Sequence, residues 1–247
     1  MKLLDNIYVI TIERNKERQV RIADLLKKFG LKFKFIKGVD GNEITDDNLK
    51  SIFNDKKSEQ RLGYLLTKNE IACSLSHIKA LNMFLENDEQ KFALILEDDI
   101  EIINFEKLDN AIRSLSKTKK WDLLYLGYQQ MNLKMPRNIY LKFLFIYPIL
   151  NFLNLKKYNL KKLRRTFARP YNKHWITAGS HNNSHAYLVT KSGAKKIVNS
   201  NTPVYAQSDV ILMDLITNGS IEALALKNPV FEQSSDLKSS IGSRNSW

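Results

Sequence analysis

A single cysteine, Cys73, stands in a chain of 247 residues. That excludes an intrachain disulfide and a cysteine-based zinc cluster, and it fits a reducing compartment. Glycine and proline are scarce, at nine and five residues, while 43% of the chain is hydrophobic. Such a composition excludes a disordered or fibrous protein, and the length suits one globular domain spanning 1–247 with a sizeable core. No stretch reaches the ~20 uninterrupted apolar residues of a membrane-spanning helix. The opening MKLLDNIYVITIERN meets acids at Asp5 and Glu13. Its apolar run is therefore too short for a secretion signal, and the expected location is cytoplasmic.

A further absence is regional. No Asp or Glu occurs between Asp122 and Asp209, and that interval holds 14 Lys and Arg. The rest of the chain carries 25 basic and 26 acidic residues, so nearly all of the formal +13 lies in this one interval. Charge localised in this way points to a docking surface for something anionic: nucleic acid, an acidic lipid surface or an anionic glycan.

What is present alternates between two periods. NIYVITI (6–12) reads as a buried strand, and RNKERQVRIADLLKKFG as a helix closed by Gly30. LKFKFIKGVDG reads as a strand ending in an Asp-Gly turn, and DDNLKSIFNDKKSEQRLGY as a loop or weak helix. Thr67 and Glu70 form a capping box ahead of a long amphipathic helix. KFALILEDDIEI reads as one strand, followed by a helix over 105–116 and a strand in WDLLYLGY. SHAYLVTKSGAKKIV gives strand, turn and helix; a helix over 208–217, a strand IEALAL and a polar tail complete the chain. Strands alternating with helices predict an α/β fold with a mostly parallel central sheet. The apolar-then-basic stretch over about 131–171 breaks the pattern and reads as an inserted lid or membrane-docking segment.

Glu97, Asp98 and Asp99 directly follow the apolar FALIL. Ligands of open α/β sheets bind beyond the carboxyl ends of strands, and carboxylate oxygens there suit Mg²⁺ or Mn²⁺ bridging a diphosphate. On an extended chain Glu97 and Asp99 would share a face and Asp98 the other. The alternative is that the acids cap the next segment or are solvated. His77 reads as a packed helix histidine or a site residue, and Asp40 with Gly41 as a turn or a ribose-hydroxyl contact. His181 and His185 are surface histidines or complete a metal shell. Asp209, the first acid after an 86-residue interval, reads either as part of a helix start, with Ser208 or Asp209 serving as N-cap, or as a general base.

In their order along the chain these pieces resemble glycosyltransferase family 25, the lipooligosaccharide galactosyltransferase type. The resemblance rests on YVITIERNKER, FIKGVDG, NEIACSLSHIKAL, ALILEDDI, WDLLYLG, SHAYLVTKSGAKKIV, SDVILMD and NPVFEQSSDLKSSI. It spans nearly everything except about 129–177. It implies a GT-A-like nucleotide-sugar-binding fold and transfer of a sugar, usually galactose from UDP-galactose, to a glycan hydroxyl. The family's metal-binding acid motif maps onto Glu97, Asp98 and Asp99, its Asp-Gly onto Asp40 and Gly41, its Ser-His onto Ser76 and His77, and its late Asp onto Asp209. Two departures stand out. The family's usual Gly-Glu-Ile-Gly-Cys is Asn69-Glu70-Ile71-Ala72-Cys73 here, and the usual Gly-Thr lead into the late strand is replaced by GSHNNSHAY.

The implied mechanism is a single in-line displacement with inversion, giving a β-linkage. Mn²⁺ or Mg²⁺ on Glu97 and Asp99, with His185, would neutralise departing UDP, and Asp209 would take the acceptor proton. Arg14 and Arg18 would add charge at the diphosphate, with Asp98 beside them; both arginines read equally well as solvated helix residues. The expected partners are a UDP-sugar and a lipid-linked oligosaccharide of lipooligosaccharide or lipopolysaccharide type. FLFIYPIL (143–150) and KKYNLKKLRR (156–165) would give peripheral contact with an anionic membrane. A non-catalytic glycan-binding protein of the same fold is the alternative. A basic nucleic-acid-binding protein is the weaker one, and nucleic acid is not expected as a partner because no recognised module is present.

Overall fold

The computed structural model describes residues 4–115, 120–129, 131–155, 157 and 159–237. Ser116, Lys156, Tyr158 and the tail beyond 237 lie outside the described residues. The first strand, β1 (Ile7–Thr11), is buried along its whole length. Helix α1 (Lys16–Lys28) follows and ends before Gly30, which adopts φ +66°. Strand β2 (Lys34–Lys37) then pairs parallel to β1.

The polar stretch after β2 forms two short helices, α2 (Asp46–Ile52) and α3 (Asp55–Leu62), where a loop or weak helix was expected. The reason is local. Thr45 and Asn54 each accept a hydrogen bond from the first turn, Gly63 ends α3 at φ +79°, and Leu49, Ile52 and Leu62 pack on a small apolar cluster. Each such cap is worth about 1 kcal/mol, enough to tip a marginal helix.

Helix α4 (Lys68–Leu85) carries the expected capping box, with Glu70 Oε2 accepting from the Thr67 amide at 2.9 Å. Next come β3 (Phe92–Glu97), β4 (Ile100–Ile102), α5 (Leu108–Arg113) and β5 (Leu123–Gln129). A helical excursion follows: α6 (Arg137–Leu141), a π-helical turn (Lys142–Ile146), α7 (Tyr147–Phe152) and α8 (Leu160–Thr166). The chain then adds β6 (Arg169–Pro170), β7 (Trp175–Thr177) and β8 (Asn182–Thr190). It closes with α9 (Lys191–Ser200), α10 (Ser208–Asn218), β9 (Ala223–Leu226) and β10 (Phe231–Gln233).

Eight strands form one sheet in the order β2-β1-β3-β8-β5-β9-β7-β6. The pairing directions make β7 and β8 run opposite to the other six. The sheet is therefore mixed, with one direction predominant, and β8 is inserted in reverse between β3 and β5. Helices cover both faces, and the period-2 alternation shows which. Tyr8, Ile95, Tyr125, Tyr187 and Ala225 pack with side chains of α4, α9 and α10. Their neighbours Val9, Leu94, Leu124, Leu188 and Leu224 pack with α1 and α5. Strands buried on both faces must be apolar at every position, which is why FALIL and AYLV read as unbroken runs. The short β6, β7 and β10 carry no such run and escape sequence reading.

One contact ties the loop after β2 to α4. A Cβ on Gly41 would lie 2.8 Å from the Asn69 Cα and 2.9 Å from its N. These are main-chain atoms, so no side-chain rotation relieves the clash. Gly41→Ala is expected to lower stability by about 1–3 kcal/mol in urea unfolding, the range of an overpacked site. An unchanged midpoint would show that the loop does not depend on this close approach.

Candidate functional site

Strands β1 and β3 run parallel side by side, and their carboxyl ends deliver the site. KFALILEDDIEI is not one strand. It breaks at Asp98 and Asp99, which form a turn, and Ile100–Ile102 leave the main sheet to pair antiparallel with β10. The expected alternation of the three acids therefore loses its premise, because the chain is not extended there. Asp98 and Asp99 instead both approach one cation: Arg18 Nη1 lies 3.1 Å from Asp98 Oδ1 and 4.0 Å from Asp99 Oδ2.

The three carboxylates have different surroundings. Both oxygens of Asp98 are occupied, one by Arg18 and the other by the Thr11 hydroxyl, which donates at 2.6 Å. Asp99 Oδ2 accepts from Gln233 Nε2 at 2.8 Å, while its buried Oδ1 has no hydrogen-bond partner among the described residues. Burial, reinforced by the charges of Glu97 and Asp98, pushes Asp99 up to about 6. Burial acts in the same sense on Glu97, but the hydrogen bond and charge of His77, with His185 and Arg18, outweigh it and hold Glu97 below its ordinary value.

His77 sits behind Glu97. Its Nε2 is 3.4 Å from Glu97 Oε1, its Nδ1 3.0 Å from the Tyr187 hydroxyl, and its ring stacks on Tyr187 at 5.8 Å. Burial raises Tyr187, so its phenol keeps its proton and donates to Nδ1. That leaves the Nε2 hydrogen for Glu97. The packed histidine and the site histidine are thus one residue.

Arg14 and Asp40 pair at 3.2 Å across the mouth of this cleft, and Asp40 also accepts from the Asn42 amide. The Ser76 hydroxyl accepts from Val39 N at 2.8 Å and donates to Ala72 O at 2.7 Å, so it fastens the Asp40–Gly41 loop to α4. Arg14, Arg18, Asp40, Gly41, Ser76, His77, Glu97, Asp98 and Asp99 all line one cleft. Cys73 lines it too, but burial and the surrounding carboxylates raise its pKa well above the ordinary thiol value. A neutral thiol there is neither a nucleophile nor a ligand.

A second cleft adjoins the first, sharing Cys73, His77, Glu97 and Gln233, and it contains Asp209, Gln207, Asn183 and His185. The N-cap of α10 is Gln207, not Ser208 or Asp209; Asp209 lies in the first turn. Asp209 Oδ2 accepts from the Asn183 amide at 3.2 Å. Asn183 adopts φ +57° where the β5–β8 register shifts, and this irregularity aims its N–H at Asp209. The Asn183 side chain donates to Gln233 Oε1 at 3.0 Å. A polar chain thus runs Asp99–Gln233–Asn183–Asp209, joining the two clefts.

The two late histidines behave differently from expectation. His185 Nε2 is 3.2 Å from Phe231 O, and the contact is possible because position 127 is glycine; a Cβ there would lie 2.5 Å from His185 Nε2. Burial lowers His185, so the ring is neutral. His181 Nδ1 is 3.1 Å from Gly179 O, and the ring packs edge-on against Tyr125, outside both clefts. Among the described residues no three His, Cys, Asp or Glu side chains gather as a cation site. His185 Nε2 is turned to the Phe231 carbonyl while its Nδ1 stays open in the cleft it shares with Glu97, and His181 lies outside both clefts. What the site offers a cation is the open Asp99 Oδ1 next to Glu97. One or two carboxylates of this kind hold Mg²⁺ or Mn²⁺ when phosphates supply the remaining oxygens. In that sense the residues present fit the ion.

Sequence reasoning missed Thr11, Asn183, Gln207 and Gln233. None has a distinctive spacing, although Thr11 lies within YVITIERNKER and Gln233 within NPVFEQSSDLKSSI, two of the segments that carry the family resemblance.

A family model described as "Glycosyltransferase family 25 (LPS biosynthesis protein)" matches residues 4–212. A glycosyltransferase 25 family member of Drosophila pseudoobscura pseudoobscura is 31% identical over 134 residues, 52% of this chain and 21% of that protein. Human procollagen galactosyltransferase 2 is 28% identical over 138 residues, 53% of this chain and 22% of that protein. The inactive glycosyltransferase 25 family member 3 of Mus musculus is 28% identical over 134 residues, 52% and 22% respectively. The chain thus spans about a fifth of the length of these curated relatives. A solved glycosyltransferase involved in glycosylation of the major capsid of PBCV-1 superposes with a TM-score of 0.44 at 8% identity, covering 94% of this chain and 93% of that one.

The raised pKa of Asp99 has a consequence for stability. A carboxyl held above its ordinary 3.8, at about 6, binds its proton more tightly when folded. Its ionisation therefore costs stability progressively as pH rises from about 4 to about 6, and the cost persists above that window. Without divalent cation, Asp99→Asn is expected to raise the thermal midpoint at pH 7.5 and to lose that advantage by pH 4. A midpoint difference independent of pH would contradict this.

Proposed function

Since the chain belongs to glycosyltransferase family 25, we propose that it transfers a hexose, galactose from UDP-galactose in the first instance, to a hydroxyl of a lipid-linked glycan of lipooligosaccharide or lipopolysaccharide type. One observation carries this reading. A buried carboxylate with an open oxygen, Asp99, stands beside Arg18 at the carboxyl edge of the sheet, in a cleft that opens directly onto a second carboxylate, Asp209. A donor diphosphate requires positive charge, and a glycan hydroxyl requires a base on the opposite side of the reacting carbon.

In this assignment Arg18, with Arg14 at the mouth, attracts the diphosphate. Asp40 offers a carboxylate to a ribose hydroxyl on the loop that Ser76 and Gly41 hold against α4. Asp98 is a positioning residue, since its two oxygens are already bonded to Thr11 and Arg18. Glu97 and Asp99 would hold Mn²⁺ or Mg²⁺, and His77 keeps Glu97 ionised for that purpose. The bound cation would supply charge neutralisation of the departing UDP.

Asp209 would accept the proton of the acceptor hydroxyl. The acceptor oxygen then bonds to C1 of the sugar as the C1–phosphate oxygen bond breaks on the opposite face, so an α-linked donor gives a β-linked product. Gln207 lines the same cleft with an amide oxygen that has no partner among the described residues, and His185 with an unpartnered Nδ1. Both suit hydroxyl donors of a glycan, because a buried polar atom without a partner is costly until a ligand satisfies it.

The test is a screen of UDP-sugars with manganese, reading slow donor hydrolysis. UDP-galactose is expected to turn over faster than UDP-glucose or UDP-N-acetylglucosamine. Asp209→Asn should lower turnover at least ~100-fold, the lower range for loss of a general base, with UDP affinity retained. Activity within a few-fold of wild type would remove Asp209 from that role. UDP binding with no turnover of any donor would replace transfer by glycan binding.

A further inference from the structure

Among the described residues, the helical excursion between β5 and β6 carries most of the exposed large hydrophobic side chains. Fourteen large hydrophobic side chains are exposed among the described residues, and ten of them lie between Leu133 and Leu155. Phe145 is 62% exposed and Phe152 87%. Neither α6, the π-helical turn nor α7 buries a single residue. Isolated exposed leucines need no explanation, but a contiguous apolar patch of this kind marks an interaction surface.

The charge around the patch narrows the partner. The excursion lies inside the acid-free interval, and Lys134, Arg137, Lys142, Lys157, Lys161 and Lys162 are all exposed. Arg165, by contrast, is taken up by Glu222 at 2.5 Å and by the Ile216 carbonyl. Apolar side chains flanked by free cations, with no neighbouring anion in sequence, complement a surface that is negative outside and apolar beneath. A second copy of the chain would bring the same cations against each other. No helix among the described residues is long and apolar enough to cross a membrane, so the excursion suits a position in the interface plane.

Topology places this surface beside the reaction cleft. Strand β5 runs parallel to β1 and β3, so the excursion leaves from the same carboxyl edge that carries the acids. Its base is pinned to the loop before β8: Asn132 N donates to Ser180 O, and Ser180 N to Thr166 O. That loop leads to Asn183, whose amide bonds Asp209.

We propose that the excursion from α6 to α8 is an anionic-membrane docking device, with the apolar side chains of α6 and α7 inserted among the headgroups and the lysines of α8 on lipid phosphates. The Asp209 end of the cleft then faces the bilayer. The inference does not depend on which sugar is transferred, and its test does not read catalysis.

Full-length protein is sedimented with phosphatidylcholine vesicles and with vesicles containing 30% phosphatidylglycerol, at 50 and 500 mM salt. Binding is expected only to the anionic vesicles, and weakly at high salt. Each basic side chain near the surface contributes roughly a fivefold gain in partitioning. Lys161→Glu with Lys162→Glu should therefore lower partitioning at least 25-fold. Phe145→Ser with Phe152→Ser should lower it at least tenfold while leaving the circular dichroism and thermal midpoint unchanged, since neither ring packs in the core. Phe152→Trp should shift its emission to the blue on anionic vesicles. No binding to anionic vesicles at low salt would overturn the proposal. So would binding indifferent to both double substitutions, or a concentration-dependent dimer abolished by Phe145→Ser with Phe152→Ser in protein that ignores vesicles.

Discussion

The contact on which the site depends is the approach of Arg18 to Asp98 and Asp99. Three consecutive carboxylates at the end of an apolar strand repel one another, and two of them are buried. Arg18 reaches them from the first turns of α1, and the Arg18–Asp98 pair is itself largely shielded from water. Removing one partner of such a pair typically costs on the order of 3–5 kcal/mol, because an uncompensated charge is left behind. With Thr11 completing Asp98, the turn is rigid enough to break β3 and send Ile100–Ile102 out to meet β10. That departure brings Gln233 onto Asp99, and through Asn183 onto Asp209. One ion cluster thus shapes both halves of the cleft.

The same cluster sorts three chemically similar acids into different roles. Asp98 is saturated by hydrogen bonds, Glu97 is kept ionised by His77, and Asp99 has its pKa raised to about 6, chiefly by burial, with one oxygen open. A cation would relieve the last of these most. In the proposed metal site the preference for Asp99 over Asp98 therefore rests on hydrogen-bond saturation. Strand alternation, the reason first suggested by the sequence, does not apply to a turn.

Much of the framework was legible in the sequence because strands buried on both faces must be apolar nearly throughout, and FALIL, IYVI and AYLV are. The capping box at Thr67 and the glycine after α1 were equally readable, since each rests on local chemistry. The residues that escaped are those whose partners come from far along the chain. Gln233 meets Asp99 across 134 positions, and Asn183 meets Asp209 only because a register shift in β8 turns its amide. The packing of His185 was equally hidden: its Nε2 is directed to the Phe231 carbonyl over a glycine, which leaves only Nδ1 open to the cleft. Nothing local in GSHNNSHAY records that packing. The excursion from 131 onward was visible as an anomaly of composition; its exposure and its exit from the carboxyl edge of the sheet became evident only in the fold.

The central claim is that the cleft at Asp99 and Arg18 receives a nucleotide diphosphate together with a divalent cation. Titration calorimetry of UDP into the wild-type protein and Asp99→Asn, each with manganese and with EDTA, tests it most directly. The account predicts at least tenfold tighter binding with manganese for wild type and no such gain for Asp99→Asn. Equal UDP affinity with and without the ion in wild type, or an undiminished gain in the variant, would contradict it.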